Sequence, residues 1–343
     1  MPSDAAPHPS AAEHVSGLIN GFWAAQVINA AVLLGVPDHL AAGPRTFAAL
    51  AEAGEAHAPS VLRLMRALVT LGLAVRGKDG RFALTEAGQL LRADVPGSVR
   101  GRALFTGDML WKQFGDLHHQ VKTGGRTAAV VSGPEGFAAL QQDPARLHAF
   151  QQAMAESSVR AARQAMKVYD FGQYRTVLDL GGGYGGVLSV LLGAYPLQTG
   201  AVCDLAYLDQ GATAFLAEAG VAGRSRFIGG NFFEAVPSGF DCYLLKFIVH
   251  DWGDEEAAAI LRNTRQAADD SSRLVLLEQV VPEALGATPR DQAVIRADLT
   301  MMGMGGKERT EEEYRTLLAD GGWRLWSVTP TGDGFSVIEA LPA

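Results

Sequence analysis

Val177-Leu178-Asp179-Leu180-Gly181-Gly182-Gly183-Tyr184-Gly185-Gly186 is the stretch that decides the fold. Val177 to Leu180 reads as a buried strand, the glycines as a tight turn, and Val187 to Ala194 as an apolar helix. The glycines reach backbone conformations closed to other residues, and they let a ligand lie against the main chain. Such a turn also aims the N–H groups of the following helix at whatever binds there. A second apolar segment, Gly200 to Cys203, ends in Asp204. An acid placed there, about twenty residues on, can accept hydrogen bonds from two ribose hydroxyls. Together these elements predict a nucleoside site on an α/β sheet.

The glycine spacing alone leaves the nucleoside open. Gly181, Gly183 and Gly186 satisfy the G-x-G-x-x-G pattern that seats a pyrophosphate on a helix N-terminus. Asp179 points elsewhere. A carboxylate repels a pyrophosphate but suits an ammonium, such as that of S-adenosylmethionine. A glycine turn with no ligand is the bland alternative, and the acid downstream weighs against it.

Phe240 to Val249 is an apolar run of strand length that ends in His250-Asp251-Trp252. Functional residues of open α/β sheets gather beyond the carboxyl ends of the strands. His250 is therefore expected beside the ligand, with a near-neutral pKa suited to general-base work. A lone histidine is otherwise usually structural. Glu278 ends another apolar strand, Leu274 to Leu277, and Glu308 follows a glycine turn. Two carboxylates around one imidazole would raise its basicity and fix its tautomer.

The segments GGGYGG, DLAYL, GNFFEAVP, LLKFIVHDWGD, LLEQVVPE and DLTMMGMGGKERTEEEYRTLL occur in that order. With them the chain resembles the class I S-adenosylmethionine-dependent O-methyltransferases, in particular the plant phenylpropanoid, hydroxyindole and bacterial antibiotic-tailoring branch. The resemblance spans nearly the whole chain. It implies a helical, winged-helix-like dimerisation domain over residues 1–100 and a helical segment over 101–172 that contributes to the acceptor pocket. A Rossmann-like catalytic α/β domain would follow over 173–343. The implied reaction is O-methylation of a phenolic secondary metabolite by a cytoplasmic homodimer, with S-adenosyl-L-methionine as cofactor and S-adenosyl-L-homocysteine as product.

Carried over to this sequence, the resemblance puts Gly181 under the methionine part of the cofactor and Asp204 on the ribose. Asn231 and Phe232 would flank the adenine, Lys246 would contact the ribose and carboxylate side, and Trp252 would cover the adenine ring. His250 matches the base, with Glu278 and Glu308 beside it. Phe150, Met154 and Met301 match residues that line the acceptor pocket. Two positions depart from the family pattern. Ala206 stands where a proline is usual, which should loosen the loop after Asp204. Asn231 stands where an aspartate is usual, so the adenine amino group would meet a weaker, uncharged acceptor. Methylation of carbon or nitrogen on a heteroaromatic such as an indole is the alternative within enzymes.

Composition agrees. Of 343 residues, 48% are hydrophobic, enough for more than one core. The net charge of −8 argues against nucleic acid or anionic membrane as partners. Cys203 and Cys242 fall in expected buried strands, which fits a reducing compartment rather than a disulfide framework. No CxxC or HExxH occurs, so no metal site is expected. The first fifteen residues read as a disordered start without a signal sequence. No apolar run is expected to approach the ~20 residues of a membrane span.

Ahead of the catalytic stretch, Gly17 to about Ala42 has helical spacing, with Pro37 as its end or kink. Helices over Phe47–Ala53 and Ser60–Leu71, with Ser60 as an N-cap, lead to a two-stranded wing around Lys78-Asp79-Gly80. Thr85 then opens a short helix. Such a winged-helix pattern also occurs in ligand-sensing DNA-binding regulators, but the basic residues are too few for a recognition surface. The family carries this unit for dimerisation. Phe22, Trp23 and Gln26 would either reach into the partner's acceptor pocket or only pack the dimer interface. Residues 104–160 read as helical with breaks at Gly124-Gly125 and Gly133-Pro134, with Trp111 and Phe114 as core.

Overall fold

The computed structural model describes residues 10–126, 141–142, 144–332 and 334–343. Contacts divide the chain into two units, Met1–Gly115 and Asp116–Ala343. The expected break at Gly133-Pro134 lies outside the described residues.

The first unit is helical with a small wing. Ser10 opens the helix Ala11–Asn20 through a reciprocal capping box with Glu13, so order begins earlier than the composition of the first fifteen residues suggests. The helix Phe22–Leu33 follows, then Gly35 at φ 64 and the short helix Val36–His39. The single helix expected over 17–42 is thus divided. Proline lacks an N–H and fits only a helix's first turn, so the chain breaks before Pro37, at Gly35. Proline also moves the next cap. Pro59 occupies the first turn of Ala58–Thr70, His57 is the N-cap, and Ser60 lies inside with its hydroxyl 3.0 Å from His57 Nδ1. Strands β1 (Ala74–Arg76) and β2 (Phe82–Leu84) pair antiparallel as the wing. Thr85 caps Glu86–Gln89 as the sequence predicts. Leu50, Val61, Met65, Leu68 and Phe82 form the core of this unit.

Its N-terminal helices leave apolar side chains outside: Val15, Leu18, Ile19, Phe22 and Leu33 are all more than half exposed. Trp111, expected in the core, is 42% exposed, with its ring 6.3 Å from that of Phe22. Ala11–Leu33 is also long and apolar enough to cross a membrane by length and composition alone, with a mean hydropathy of 1.2. That corrects the expectation that no such run exists. Alanines keep the average high, while isolated polar residues break up the run so that no conspicuous hydrophobic block is seen.

The second unit holds a seven-stranded sheet in the order β10-β11-β7-β6-β3-β4-β5. Strands β3 (Thr176–Leu180), β4 (Thr199–Asp204), β5 (Ser225–Gly229), β6 (Cys242–Lys246) and β7 (Arg273–Glu278) run parallel. Strands β10 (Trp323–Pro330) and β11 (Ser336–Pro342) close one edge antiparallel. A parallel sheet is covered on both faces, so its strands read as continuous apolar runs. Leu178, Leu180, Tyr243, Leu245, Leu274 and Leu276 face one core, with Leu261, Tyr314 and Trp323. Val177, Val202, Cys242, Leu244, Val275 and Leu277 face the other, with Leu188 and Leu191 of the helix Gly186–Ala194. Chain order reverses about β3, with β4 on one side and β6 on the other, and ligands bind at the carboxyl ends beside such a reversal.

Trp323 is fully buried and donates its indole N–H to Leu261 O at 3.0 Å, joining β10 to the helix Asp254–Ala267. Trp323→Ala should destabilise the second unit by roughly 3–5 kcal/mol, the usual cost of removing a large buried aromatic. Urea unfolding followed by far-UV circular dichroism measures this. A midpoint unchanged from the parent would contradict the packing described.

Candidate active site

Beyond β3 the chain turns at Gly181, which has φ 72 and donates its N–H to Cys203 O at 2.8 Å. A side chain there would also run into Ile248, whose Cδ1 lies 2.6 Å from an ideal Cβ. Glycine is required on both counts. The turn is tied to the end of β4, because Asp204 Oδ2 accepts the Gly183 N–H at 2.8 Å and Oδ1 accepts that of Leu205 at 2.7 Å. Asp204 is thus aimed by the main chain, with lone pairs still free on both oxygens.

Two groups of opposite charge lie beside this cradle, Asp179 buried and Lys246 half-buried. Asp179 is 1% exposed and its Oδ2 has no hydrogen-bond partner. Burial pushes its pKa up to about 7, though backbone contact and the Lys246 ammonium favour the charged form. Burial pulls the Lys246 pKa down to about 8, against the carboxylates of Glu278, Asp179 and Asp251. An unpartnered buried carboxylate is costly, and it calls for a donor that the surrounding chain does not supply.

The strand expected over 240–249 ends at Lys246. Phe247 takes φ 54, the chain turns, and His250 sits in the 3₁₀ turn Val249–Asp251. His250 Nδ1 donates to Glu308 Oε1 at 2.9 Å and lies 3.7 Å from Glu278 Oε2. Asp251 Oδ1 is 3.5 Å from Nε2. Glu278 Oε1 accepts two successive N–H groups, from Ile248 at 3.0 Å and Val249 at 2.9 Å. Both glutamates are buried. Strands β8 (Val280–Val281) and β9 (Arg309–Thr310) bring them together by pairing in parallel just after each one.

Burial alone would lower the His250 pKa, but Glu278, Asp251 and Glu308 outweigh it and raise the imidazole to about 10. The near-neutral value expected from the sequence is corrected accordingly, because a histidine among three carboxylates holds its proton. Burial raises Glu278 to about 7, with the histidine pulling the other way. The ligand atoms of His250, Glu278 and Glu308 lie within 4.8 Å of one another, close enough to hold a metal ion. The 2.9 Å contact between His250 Nδ1 and Glu308 Oε1 has the length of an ordinary hydrogen bond.

Arg309, in the GGKERT segment and given no role by the sequence, is fully buried and clamps the histidine turn. Its guanidinium donates to Val249 O at 3.0 Å, Trp252 O at 2.9 Å and Asp254 Oδ1 at 2.9 Å. The Lys307 N–H reaches His250 O at 3.0 Å, and Gly306 packs so close that an ideal Cβ would lie 1.9 Å from that oxygen. No periodicity signals such an arginine. The only trace in the sequence is a charged residue flanked by the glycine turn and the cap of the next helix.

The remaining expected residues are spread around this centre. Phe232 lies over Gly181, and its ring meets Trp252 edge-on at 6.3 Å. Trp252 itself is buried against Phe233 at 4.7 Å. Asn231 is engaged locally, with Oδ1 accepting from Phe233 N–H and Nδ2 donating to Glu234. Phe150 and Met154 stand one turn apart on the helix Pro144–Ala165, where Gln151 approaches Gly183 and Ala155 approaches Gly186. Met154 is 41% exposed. Met301 is buried on the helix Pro289–Met304, and its carbonyl accepts the Gly306 N–H at 2.9 Å.

Residues 114–324 match the O-methyltransferase domain, and residues 16–94 match the O-methyltransferase dimerisation domain. The chain belongs to the O-methyltransferase family and is an S-adenosylmethionine-dependent methyltransferase. It is 34% identical to a phenazine O-methyltransferase of Lysobacter antibioticus, covering 95% of this chain and 94% of that protein. It is 35% identical to the O-demethylpuromycin-O-methyltransferase of Streptomyces alboniger, covering 99% and 92%. Among solved structures, it resembles an O-methyltransferase from neocarzinostatin biosynthesis in complex with S-adenosylmethionine and 2-hydroxy-5-methyl naphthoic acid. That match has a TM-score of 0.81 at 30% identity, over 95% of this chain and 98% of that one.

Two outcomes follow from the geometry. The folded His250 pKa lies above its ordinary value of about 6.5, so folding takes up a proton. The associated stability is full below pH ~6.5 and is lost as pH rises toward about 10. Melting temperatures from pH 6 to pH 10 should fall more steeply for the parent than for His250→Asn, and equal slopes would contradict the raised value. Arg309→Met should cost about 1–3 kcal/mol for each buried carbonyl left without a donor. Urea unfolding measures that loss, and an unchanged midpoint would contradict the clamp.

Proposed function

We propose that this chain methylates the hydroxyl of a small aromatic secondary metabolite, with His250 as the base. The observation that carries the proposal is the buried imidazole, fixed through Nδ1 on Glu308 at 2.9 Å. That bond leaves Nε2, which lies 3.5 Å from Asp251 Oδ1, as the nitrogen that would take the acceptor's proton. When bound, S-adenosylmethionine supplies a methyl group already activated on sulfur. The residues present fit it: Asp179 Oδ2 lacks a partner suited to an ammonium, Lys246 offers a charge for a carboxylate, and Gly181 admits close approach. Asp204 would hold the ribose, while Asn231, Phe232 and Trp252 would enclose the adenine.

The chain's own part in the reaction is placement and proton transfer. An acceptor phenol has a pKa of about 10, so its proton would move to an ordinary imidazole of about 6.5 at a cost near 5 kcal/mol. Three surrounding carboxylates raise the imidazole toward the phenol and remove most of that gap. The same shift leaves less neutral imidazole at pH 7, so turnover should climb above neutrality, with an acidic limb higher than pH ~6.5. Glu308 and Glu278 stabilise the imidazolium that forms. Phe150, Met154 and Met301 would line the acceptor pocket, methionine suiting an irregular aromatic site.

We further assign residues 1–100 to dimerisation, 101–172 to the acceptor side and 173–343 to the cofactor and chemistry. The match to the dimerisation domain and the exposed Val15, Leu18, Ile19 and Phe22 support a homodimer. The buried free thiols of Cys203 and Cys242 suit a cytoplasmic setting.

Turnover on a panel of phenols tests the assignment. His250→Ala should lower kcat by roughly 10²–10⁴-fold while leaving cofactor affinity nearly intact. Near-parental kcat in that variant would remove the base. Asp204→Ala should weaken S-adenosylmethionine binding by about 1.5–3 kcal/mol in calorimetry, as expected for hydrogen bonds to a charged group.

A further inference from the structure

Phe247 has φ 54, a left-handed conformation that phenylalanine rarely takes. It stands at the corner where β6 ends. Its N–H makes a last ladder bond to Leu277 O at 3.0 Å, and the turn then sends the Ile248 and Val249 N–H groups to Glu278 Oε1. Glycine or asparagine would make this corner with less strain. Nothing in the backbone calls for an aromatic residue there.

The ring has a use of its own. It lies against the His250 imidazole with centroids 5.3 Å apart and planes 20° from parallel. Lys246 Nζ lies 4.3 Å from the same centroid, and Phe335 packs edge-on against the ring at 5.9 Å. Phe247 is therefore held by Phe335 and presents its π surface to both cations of the site.

We propose that Phe247 is a positioning residue for His250, retained despite its strained backbone because its ring fixes the imidazole plane. The Nδ1 hydrogen bond to Glu308 sets one axis of the imidazole. Rotation about that axis would swing Nε2 away from the acceptor, and a flat partner on the ring face blocks it. The π surface also favours the charged imidazolium. The groups that face this imidazole are Glu278 from β7, Glu308 ahead of β9, Asp251 beside it and Lys246 across the Phe247 ring. The proposal rests on the general-base reading only for its kinetic consequence.

Phe247→Ala, Phe247→Gly and Phe247→Tyr separate the ring from the backbone, since glycine relieves the strain and tyrosine keeps the ring. The first readout is the downfield Nδ1–H proton resonance of His250 in the unliganded protein. The second is kcat and KM for S-adenosylmethionine with 1-hydroxy-2-naphthoic acid as acceptor, across pH 6–10. Alanine and glycine should both lose the protected resonance and lower kcat by about tenfold or more, with KM within about twofold. Their acidic limb should also move to lower pH, because the imidazolium loses its π partner. Tyrosine should stay within about threefold of the parent and keep the resonance. A glycine variant with parental resonance and kcat would assign Phe247 to the backbone alone and overturn the proposal. If the parent turns over no phenol, the methyl-transfer reading fails, and the resonance alone then decides whether Phe247 holds the imidazole.

Discussion

The carboxylate of Glu278, buried at the end of β7, is the constraint around which the rest of the site is arranged. One oxygen takes the N–H groups of Ile248 and Val249, and the other has no hydrogen-bond partner and faces His250 at 3.7 Å. A charge so placed is tolerated only with compensation close by. The compensation is the imidazolium of His250, together with Lys246 at the end of the neighbouring strand. Proton-holding by His250 is thus a consequence of the carboxylates crowded around it, which outweigh the opposing effect of burial, and it also suits the histidine to a phenol.

The fold delivers this arrangement economically. Parallel strands β3, β4, β6 and β7 end at one rim of the sheet, so Asp179, Asp204, Lys246 and Glu278 converge from four places in the chain. Arg309 and Gly306 lock the His250 turn from the opposite side, and the two-residue pairing of β8 with β9 fixes Glu308 relative to Glu278. Each device is small. Their effect is large because they act on groups that have little water to fall back on.

Much of this was readable from the sequence. The apolar runs at Val177, Gly200 and Leu274, and the glycine turn, marked strands and cradle correctly because buried parallel strands carry a continuous apolar signal. Family-specific segments pointed to His250, Glu278 and Glu308, which the structure brings into one cluster. What stayed hidden depends on contacts distant in sequence or on single backbone angles. The run Phe240–Val249 does not reveal that Phe247 turns left-handed. The raised His250 pKa needs Glu308, 58 residues away in the chain. Arg309 looks like any surface arginine until its carbonyl partners are known. Ser60 lost the cap to His57 because Pro59 had prior claim to the first turn.

The whole site depends on the proton of His250. Its imidazole can be titrated by nitrogen-15 NMR in the unliganded protein, with Glu278→Gln and Glu308→Gln as references. The parent imidazole should titrate well above the ordinary ~6.5, its pKa falling stepwise as either carboxylate is neutralised. An imidazole that titrates near its ordinary value in the parent, unmoved by either substitution, would contradict the raised value.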